Sequence, residues 1–221
     1  MISEMKAAML TALVALLLIG GCTSTRYPAE TEEGLVRTFG NGFDAVYRHP
    51  TSELGNVGGT RVEPCTVEFR ENWLRDQNRE RDLVNRVEPS DMRRIEGDLA
   101  TSCTEILREL LEDGEPGQGG PSGGPTLILQ PRIIDLDVTA PDIVSPSAER
   151  DYVRSVARMT LVVDLLDGST DELLGRVIDH RSTPETARLT RSTRNANLVE
   201  MERLLEQWAS LLAEYLGIAG R

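Results

Sequence analysis

Residues Val153–Arg181 read VRSVARMTLVVDLLDGSTDELLGRVIDHR, and this stretch decides the fold class because it predicts two paired strands. Apolar and polar side chains alternate over Val153–Leu166, which is the period of a strand with one buried face. Asp167–Thr170, with the sequence DGST, is typical of a hairpin turn. The second strand, over Glu172–Arg181, is therefore expected to run antiparallel to the first.

Two further strands are predicted before this hairpin. Val62–Arg70 has apolar residues at alternate positions, so one of its faces is expected to be buried. Thr126–Val138 is longer, but its apolar residues change phase near Pro131. Because proline has no N–H for the ladder of hydrogen bonds, we expect a bulge or an edge position there.

Two amphipathic helices complete the pattern. The first is expected to open at Pro89-Ser90-Asp91, with Ser90 as its cap, and to stop at Asp113-Gly114, and its apolar residues from Met92 to Leu111 form one stripe. Asn197–Leu216 has a similar stripe and starts with an Asn-based capping box. The order of strand, helix, three strands and helix predicts an α+β domain. We expect a mainly antiparallel sheet of about four strands, with both helices packed on one of its faces.

The residues Met5–Ser24, MKAAMLTALVALLLIGGCTS, predict a signal peptide over residues 1–21. One lysine precedes an apolar run that is too short to cross a bilayer but has the length of a signal-peptide core. Ile19–Cys22, with the sequence IGGC, resembles the bacterial lipobox. In that chemistry the Cys22 thiol receives a diacylglyceryl group, and the amine freed by cleavage receives a fatty acyl chain such as palmitate.

This motif predicts a lipoprotein of a Gram-negative bacterium, anchored in the outer membrane by its lipid and facing the periplasm. Two or more acyl chains are enough for stable anchoring. Thr23 follows the cysteine. By resemblance to the lipoprotein sorting system, the absence of aspartate there indicates the outer membrane. The alternatives are an ordinary cleaved signal peptide and an uncleaved anchor.

The rest of the chain divides into two predicted parts. Residues 22–60 are rich in Thr, Gly, Glu and Pro and are expected to be a tether, and residues 61–217 form the α+β domain. The 36 acidic and 24 basic side chains give a formal net charge of −12. Such an acidic chain argues against a nucleic-acid partner and against electrostatic docking on anionic lipid.

Two cysteines remain besides Cys22. Cys65 lies on the apolar side of the first predicted strand, and Cys103 lies on the apolar stripe of the first helix. If that helix packs on that strand, the two thiols point into one layer, and an oxidising compartment allows them to pair. We expect a disulfide between them; the alternative is two buried free thiols.

The polar residues suggest few sites for chemistry. Asp135 and Asp137 are two apart on a predicted strand and are expected to share a face, where close carboxylates bind Ca²⁺ or act as acid and base. No third ligand is spaced with them, so the alternative is a solvated strand face. His49 and His180 lack metal-ligand spacing, and no Gly-x-Ser-x-Gly motif is present. We expect no catalytic residue, no metal and no cofactor.

Three stretches together resemble a family of bacterial lipoproteins known only as a domain of unknown function. They are FRENWLRDQN at Phe69–Asn78, DLDVTAP at Asp135–Pro141 and NLVEMERLLEQWASLL at Asn197–Leu212. The resemblance covers about residues 60–216 and implies an α+β lipoprotein. The Gly/Pro-rich stretch 114–125 is longer than usual for this family. The family has no established activity, so it implies no catalytic residue.

By this resemblance, the best candidates for a functional surface are Trp73, Arg75, Asp76 and Asn78. The structural alternative is that Trp73 packs at the edge of the domain while Arg75 and Asp76 form local hydrogen bonds.

Together these observations predict a non-enzymatic outer-membrane lipoprotein whose periplasmic domain binds an envelope protein partner and serves as an accessory module. A second hypothesis is a carrier of a small ligand or cation that uses the face with Asp135 and Asp137. A third, less favoured, is a hydrolase.

Overall fold

The computed structural model describes residues 27–39, 42–52, 58–112, 126–139, 157–183 and 194–218, with side chains of the last segment described from residue 198. The predicted signal peptide, Cys22 and the Gly/Pro-rich stretch 114–125 lie outside these residues. Within them are seven strands and three α-helices. The bounds in chain order are β1 Val36–Thr38, β2 Ala45–Arg48, β3 Gly59–Val62, β4 Thr66–Phe69, α1 Trp73–Gln77, α2 Pro89–Leu111, β5 Thr126–Asp137, β6 Arg158–Asp167, β7 Leu173–Ser182 and α3 Arg194–Leu216.

All seven strands belong to one mixed sheet. Its order is β1-β2-β7-β6-β5-β3, and β4 also pairs with β5. The pairs from β1 across to β5 are antiparallel, whereas β3 and β4 both run parallel to β5. β3 pairs with the first part of β5 and β4 with the last part, so these two short strands form one interrupted edge.

The prediction of about four mainly antiparallel strands with two helices is wrong in number and in pairing. The sheet has seven strands, one of its edges is parallel, and a third, short helix follows β4. The molecule remains α+β overall. The hairpin of β6 and β7 has the antiparallel register expected of it, from Arg158 opposite Ser182 to Leu166 opposite Leu173.

The additional strands have a simple origin. β1 and β2 lie inside the stretch 22–60 that was predicted to be a tether, and with three and four residues they are too short to show a period. The predicted strand Val62–Arg70 is divided between β3 and β4, with Pro64 in the interruption. A residue without an N–H cannot continue the ladder, so the edge breaks there.

The bulge expected near Pro131 lies further along β5. The pairing of β5 with β6 continues through Pro131 opposite Val163, and the register shifts between Ile134 and Asp137. Pro131 has the parity of Leu129, whose carbonyl accepts a hydrogen bond from the edge residue Glu63 at 2.9 Å. The nitrogen of Pro131 is therefore directed towards the interruption between β3 and β4. At that place no strand residue would accept a hydrogen bond from it.

Both long helices cover the same face of the sheet and enclose one apolar core. Leu99, Cys103 and Leu107 of α2 are buried there, as are Leu205 and Trp208 of α3. The sheet contributes alternate residues to this core, among them Leu127, Leu129, Ile133, Met159, Leu161, Val163 and Val177. The bulge in β5 restores the alternation, because Leu136 and Val138 beyond it also face the helices.

A buried carboxylate on β7 connects α3 to the sheet. Asp179 is 2% exposed and accepts hydrogen bonds from Trp208 Nε1 at 2.7 Å, from Arg181 Nε at 2.6 Å and from the backbone N–H of Asp44 at 3.0 Å. Arg181 also donates to the carbonyl of Gly42. Burying a carboxylate without hydrogen bonds is unfavourable, and three donors from different parts of the chain offset that cost here.

We expect Trp208→Phe to lower the free energy of unfolding by about 1–3 kcal/mol, because it removes one donor from a buried carboxylate while keeping most of the apolar volume. Urea unfolding followed by far-ultraviolet circular dichroism measures this. Ser210→Ala is the matched control on the exposed side of the same helix, with an expected effect within about 0.5 kcal/mol. Equal stability of the two variants would contradict the role assigned to Asp179.

Candidate functional site

The sheet face opposite the helices is partly covered by an N-terminal arm, residues 27–35. Its chain runs antiparallel to β1, with a bridge between Glu30 and Val36 and a 2.8 Å bond from the Arg37 N–H to the Ala29 carbonyl. Leu35, fully buried, packs against Ala45 and Tyr47 of β2. The arm thus forms a second, smaller apolar cluster on the face that α2 and α3 leave open.

A groove of about 340 Å³ lies between this arm and the open face of the sheet. Its floor comes from β2, β5, β6 and β7, with three aliphatic side chains, and its wall comes from the arm. The lining residues are Tyr27, Pro28, Thr31, Tyr47, Ile134, Asp135, Thr160, Val162, Arg176 and Ile178. We call this feature the open-face groove.

The one arginine that lines the groove is neutralised within the fold. Arg176 donates to both carboxylate oxygens of Asp164, the Nη2–Oδ2 distance being 3.3 Å, and its Nη1 lies 3.0 Å from Glu33 Oε1. The hydrogen bond to Asp164 is the largest cause that raises the pKa of Arg176. Arg132 pairs with the same aspartate at 3.0 Å. This chain of ion pairs also ties the arm to β6 and β7.

The tyrosine on the groove floor serves mainly to hold the arm. Tyr47 is 1% exposed, and its hydroxyl donates to the carbonyl of Pro28 at 3.0 Å. Burial is the largest cause that raises its pKa, so the phenol stays protonated at neutral pH. The groove therefore offers aliphatic and aromatic surface with one exposed acid, Asp135, at its end. Such a surface is suited to binding an apolar or amphipathic group.

The bulge gives the two aspartates of β5 different surroundings. Asp135 has a positive φ of 54°, lies at the register shift and lines the groove. Asp137 is paired with Arg70 Nε at 3.1 Å and lies 4.0 Å from Arg158. The two aspartates that were expected to act together as ligands therefore have different roles: Asp135 lines the groove floor, and Asp137 belongs to an ion-pair network.

The candidate Trp73 lies inside the domain. Its side chain is 1% exposed, its Nε1 donates to the Val138 carbonyl at 2.8 Å, and its ring packs on Phe69 with 4.0 Å between ring centroids. The indole thereby attaches the start of α1 to the end of β5. This placement matches the structural alternative given for Trp73.

Arg75, Asp76 and Asn78 make local contacts. Asp76 pairs with Arg70 at 2.8 Å and with Arg75 at 3.3 Å, and the hydrogen bond from Arg70 is the largest cause that lowers its pKa. Asn78 accepts from the Val87 N–H at 2.8 Å and donates to the Val87 carbonyl at 2.9 Å. It closes the intervening loop as a backbone strand would.

The ring of each histidine is hydrogen-bonded to a threonine hydroxyl. His49 Nδ1 lies 2.9 Å from Thr51 Oγ1, and His180 Nδ1 lies 3.1 Å from Thr160 Oγ1. Among the residues that the structure describes, no three His, Cys, Asp or Glu side chains are placed to hold a metal ion. In the same part of the chain, no helix is both long enough and apolar enough to cross a membrane.

Cys65 and Cys103 form a disulfide with a Cα–Cα distance of 6.0 Å. It links the residue just before β4 to the middle of α2. Beside it, the Cys65 N–H donates to Thr104 Oγ1 at 2.9 Å. The third cysteine, Cys22, lies outside the described residues.

Comparisons with known proteins give little beyond this geometry. No family model matches the chain, and no curated protein does. Two solved structures are similar in part, both of the PelC dodecamer from Paraburkholderia phytofirmans. For the first structure the identity is 9%, and the alignment covers 78% of this chain and 93% of the PelC chain. For the second the identity is 10%, and the alignment covers 80% of this chain and 96% of the PelC chain. Both have a TM-score of 0.31, which is too low to carry an argument.

Sequence reasoning did not find the open-face groove. Its wall comes from Tyr27, Pro28 and Thr31, which lie in the stretch predicted to be a tether. The available signal was a few apolar residues scattered through that stretch, among them Leu35, Val46 and Tyr47, which the structure places in the two apolar clusters. Where a wall and a floor meet depends on strand order, which local patterns do not specify.

We expect Cys65→Ala/Cys103→Ala to lower the free energy of unfolding by about 3–4 kcal/mol, the chain-entropy value for the loop closed by a separation of 38 residues. Urea unfolding measures this, with wild type treated with a reductant as a second reading of the same loss. Ser210→Ala, at an exposed position of α3, is the control, since it leaves this disulfide in place. Two alkylatable thiols in the unreduced wild type, found by intact mass, would contradict the pairing.

Proposed function

We propose that the protein is an outer-membrane lipoprotein, anchored through Cys22, whose periplasmic domain is a non-enzymatic binding module for another envelope component. The observation that carries the proposal is Ile19–Cys22 at the end of an apolar signal core. A cysteine directly after two glycines at that place has the residue types that lipid transfer and cleavage need. Thr23 rather than aspartate supports the outer membrane as the destination.

The open-face groove supports the binding role. It combines an aliphatic floor with the ring of Tyr27, while its arginine is already held by Asp164 and Glu33. A partner that inserts an apolar or aromatic side chain therefore gains contact area without having to separate a buried ion pair. We assign the groove to the envelope partner on this basis.

The anchor is tested by Cys22→Ala. We expect wild type to enter the detergent phase on Triton X-114 partitioning, because its acyl chains bury in the micelle. The variant should carry no lipid and keep the mass of the unprocessed precursor, signal peptide included. A variant that is cleaved between Gly21 and residue 22 like the wild type would overturn the lipobox interpretation.

The binding surface is tested by photocrosslinking in intact cells. A photoreactive amino acid at Ile134, in the groove floor, is expected to give a defined adduct with an envelope protein. The same amino acid at Leu110, which is 44% exposed on α2, is the control and should give none.

Removing one wall of the groove with Tyr27→Ala should weaken the Ile134 adduct severalfold. Identical adducts from both crosslinking positions, or an Ile134 adduct that Tyr27→Ala leaves unchanged, would argue against the groove as the binding surface.

A further inference from the structure

The strand β3 ends the sheet on the side away from β1, and among the described residues no further strand pairs with it. The N–H of Glu63, directly after β3, donates to the Leu129 carbonyl of β5 at 2.9 Å. Because successive residues of a strand direct their backbone groups to opposite sides, the N–H and C=O of Val62 point away from β5. They lie at the outer edge of the sheet, where a strand of another molecule adds most easily.

Two side chains of α2 occupy these backbone groups. Glu112 Oε1 accepts from the Val62 N–H at 2.8 Å, and Arg108 donates to the Val62 carbonyl from Nε at 3.2 Å and from Nη2 at 3.1 Å. Arg108 Nε also lies 3.7 Å from Glu112 Oε1, so the two side chains form an ion pair. One acceptor and one donor thus meet Val62 as the peptide groups of a neighbouring strand would, and their charges strengthen both bonds.

The same side of α2 continues along the edge to β4. Thr104 Oγ1 accepts from the N–H of Cys65, just before β4, at 2.9 Å. Thr104, Arg108 and Glu112 are four residues apart and therefore lie in one row on the helix. The disulfide between Cys65 and Cys103 holds this part of α2 against the edge. The row of three polar side chains is thus fixed beside the backbone groups that it occupies.

The opposite end of the sheet is covered in a different way. At β1 the N-terminal arm pairs through its own backbone, and the Arg37 N–H donates to the Ala29 carbonyl at 2.8 Å. At β3 the cover consists of two side chains, with 46% of Arg108 and 27% of Glu112 exposed. Because these side chains lie outside the apolar core, they can be shortened in their polar groups without a change in the packing of the domain.

We propose that Arg108 and Glu112 close the β3 edge against strand addition, and that without them a second copy of the chain pairs there through its own β3. An open edge offers an identical copy the same donor and acceptor, so two β3 strands satisfy each other about a two-fold axis. The inference is independent of the proposed lipid anchor. It also restricts how an envelope partner is recognised, because a partner that meets an occupied edge contacts side chains and does not add a strand to β3.

The test compares the full-length protein with Arg108→Met/Glu112→Met in a detergent whose density matches that of the buffer. Methionine keeps most of the side-chain length and removes the donor and the acceptor. We expect sedimentation velocity to show that the variant associates as its concentration rises, with a dissociation constant severalfold below that of the wild type. Glu200→Met/Arg203→Met is the matched control, because it removes a 3.6 Å ion pair of α3 and exposes the same two methionines. It should sediment like the wild type.

Amide hydrogen exchange at Val62 shows whether the association uses this edge. In the dilute double variant the Val62 N–H should exchange faster than in the wild type, and at high concentration its exchange should slow again as the edges pair. Unchanged sedimentation of a double variant that is folded by circular dichroism, or association that does not slow exchange at Val62, would overturn the proposal. If the double variant does not fold, Arg108→Met alone frees the Val62 carbonyl, and its failure to associate would be equally decisive against the proposal.

Discussion

The carboxylate of Asp179 is the constraint on which the arrangement of the domain depends. It is buried beneath α3, and the donors that stabilise it come from α3, from β7 and from the turn before β2. A charge in this position is tolerated only while all three are in place, because each lost donor leaves part of the desolvation cost uncompensated. One side chain therefore links the position of the last helix to that of the β1–β2 edge. Tyr215 adds a second connection at the far end of α3, where its hydroxyl accepts from Arg48 at 3.0 Å and its ring meets Phe43 edge-on.

The two faces of the sheet are covered by different elements. On one face the helices close a continuous apolar core. Among the described residues, the N-terminal arm covers part of the other face, and it is held by Tyr47, by the ion pair of Arg176 with Glu33, by its pairing with β1 and by the buried Leu35. The groove is therefore bounded by the sheet as its floor and by the arm as its wall.

Local periodicity predicted the elements that are long and half-buried, namely the β6–β7 hairpin and the helices α2 and α3. It failed for β1 and β2, since strands of three and four residues contain at most two full periods. The parallel edge was within reach of sequence reasoning, because a strand, a helix and a strand in succession are the crossover that parallel pairing requires. Of the candidate site residues, Trp73, Asp76 and Asn78 make internal contacts, since side chains that hold a loop resemble in composition those that bind a partner. The open-face groove depends on strand order and was out of reach.

The disulfide has a consequence for how the molecule tolerates damage. Cys65 and Cys103 enclose β4, α1, the exposed loop at Leu83 and the first half of α2 in one covalent ring. A peptide bond cut anywhere in that ring opens it without releasing a fragment, because both halves of the chain stay joined through sulfur. An exposed loop is ordinarily the weak point of a secreted domain towards proteases. Here the loop with the exposed side chains of Leu83 and Val84 is also one whose cleavage leaves the polypeptide in one piece.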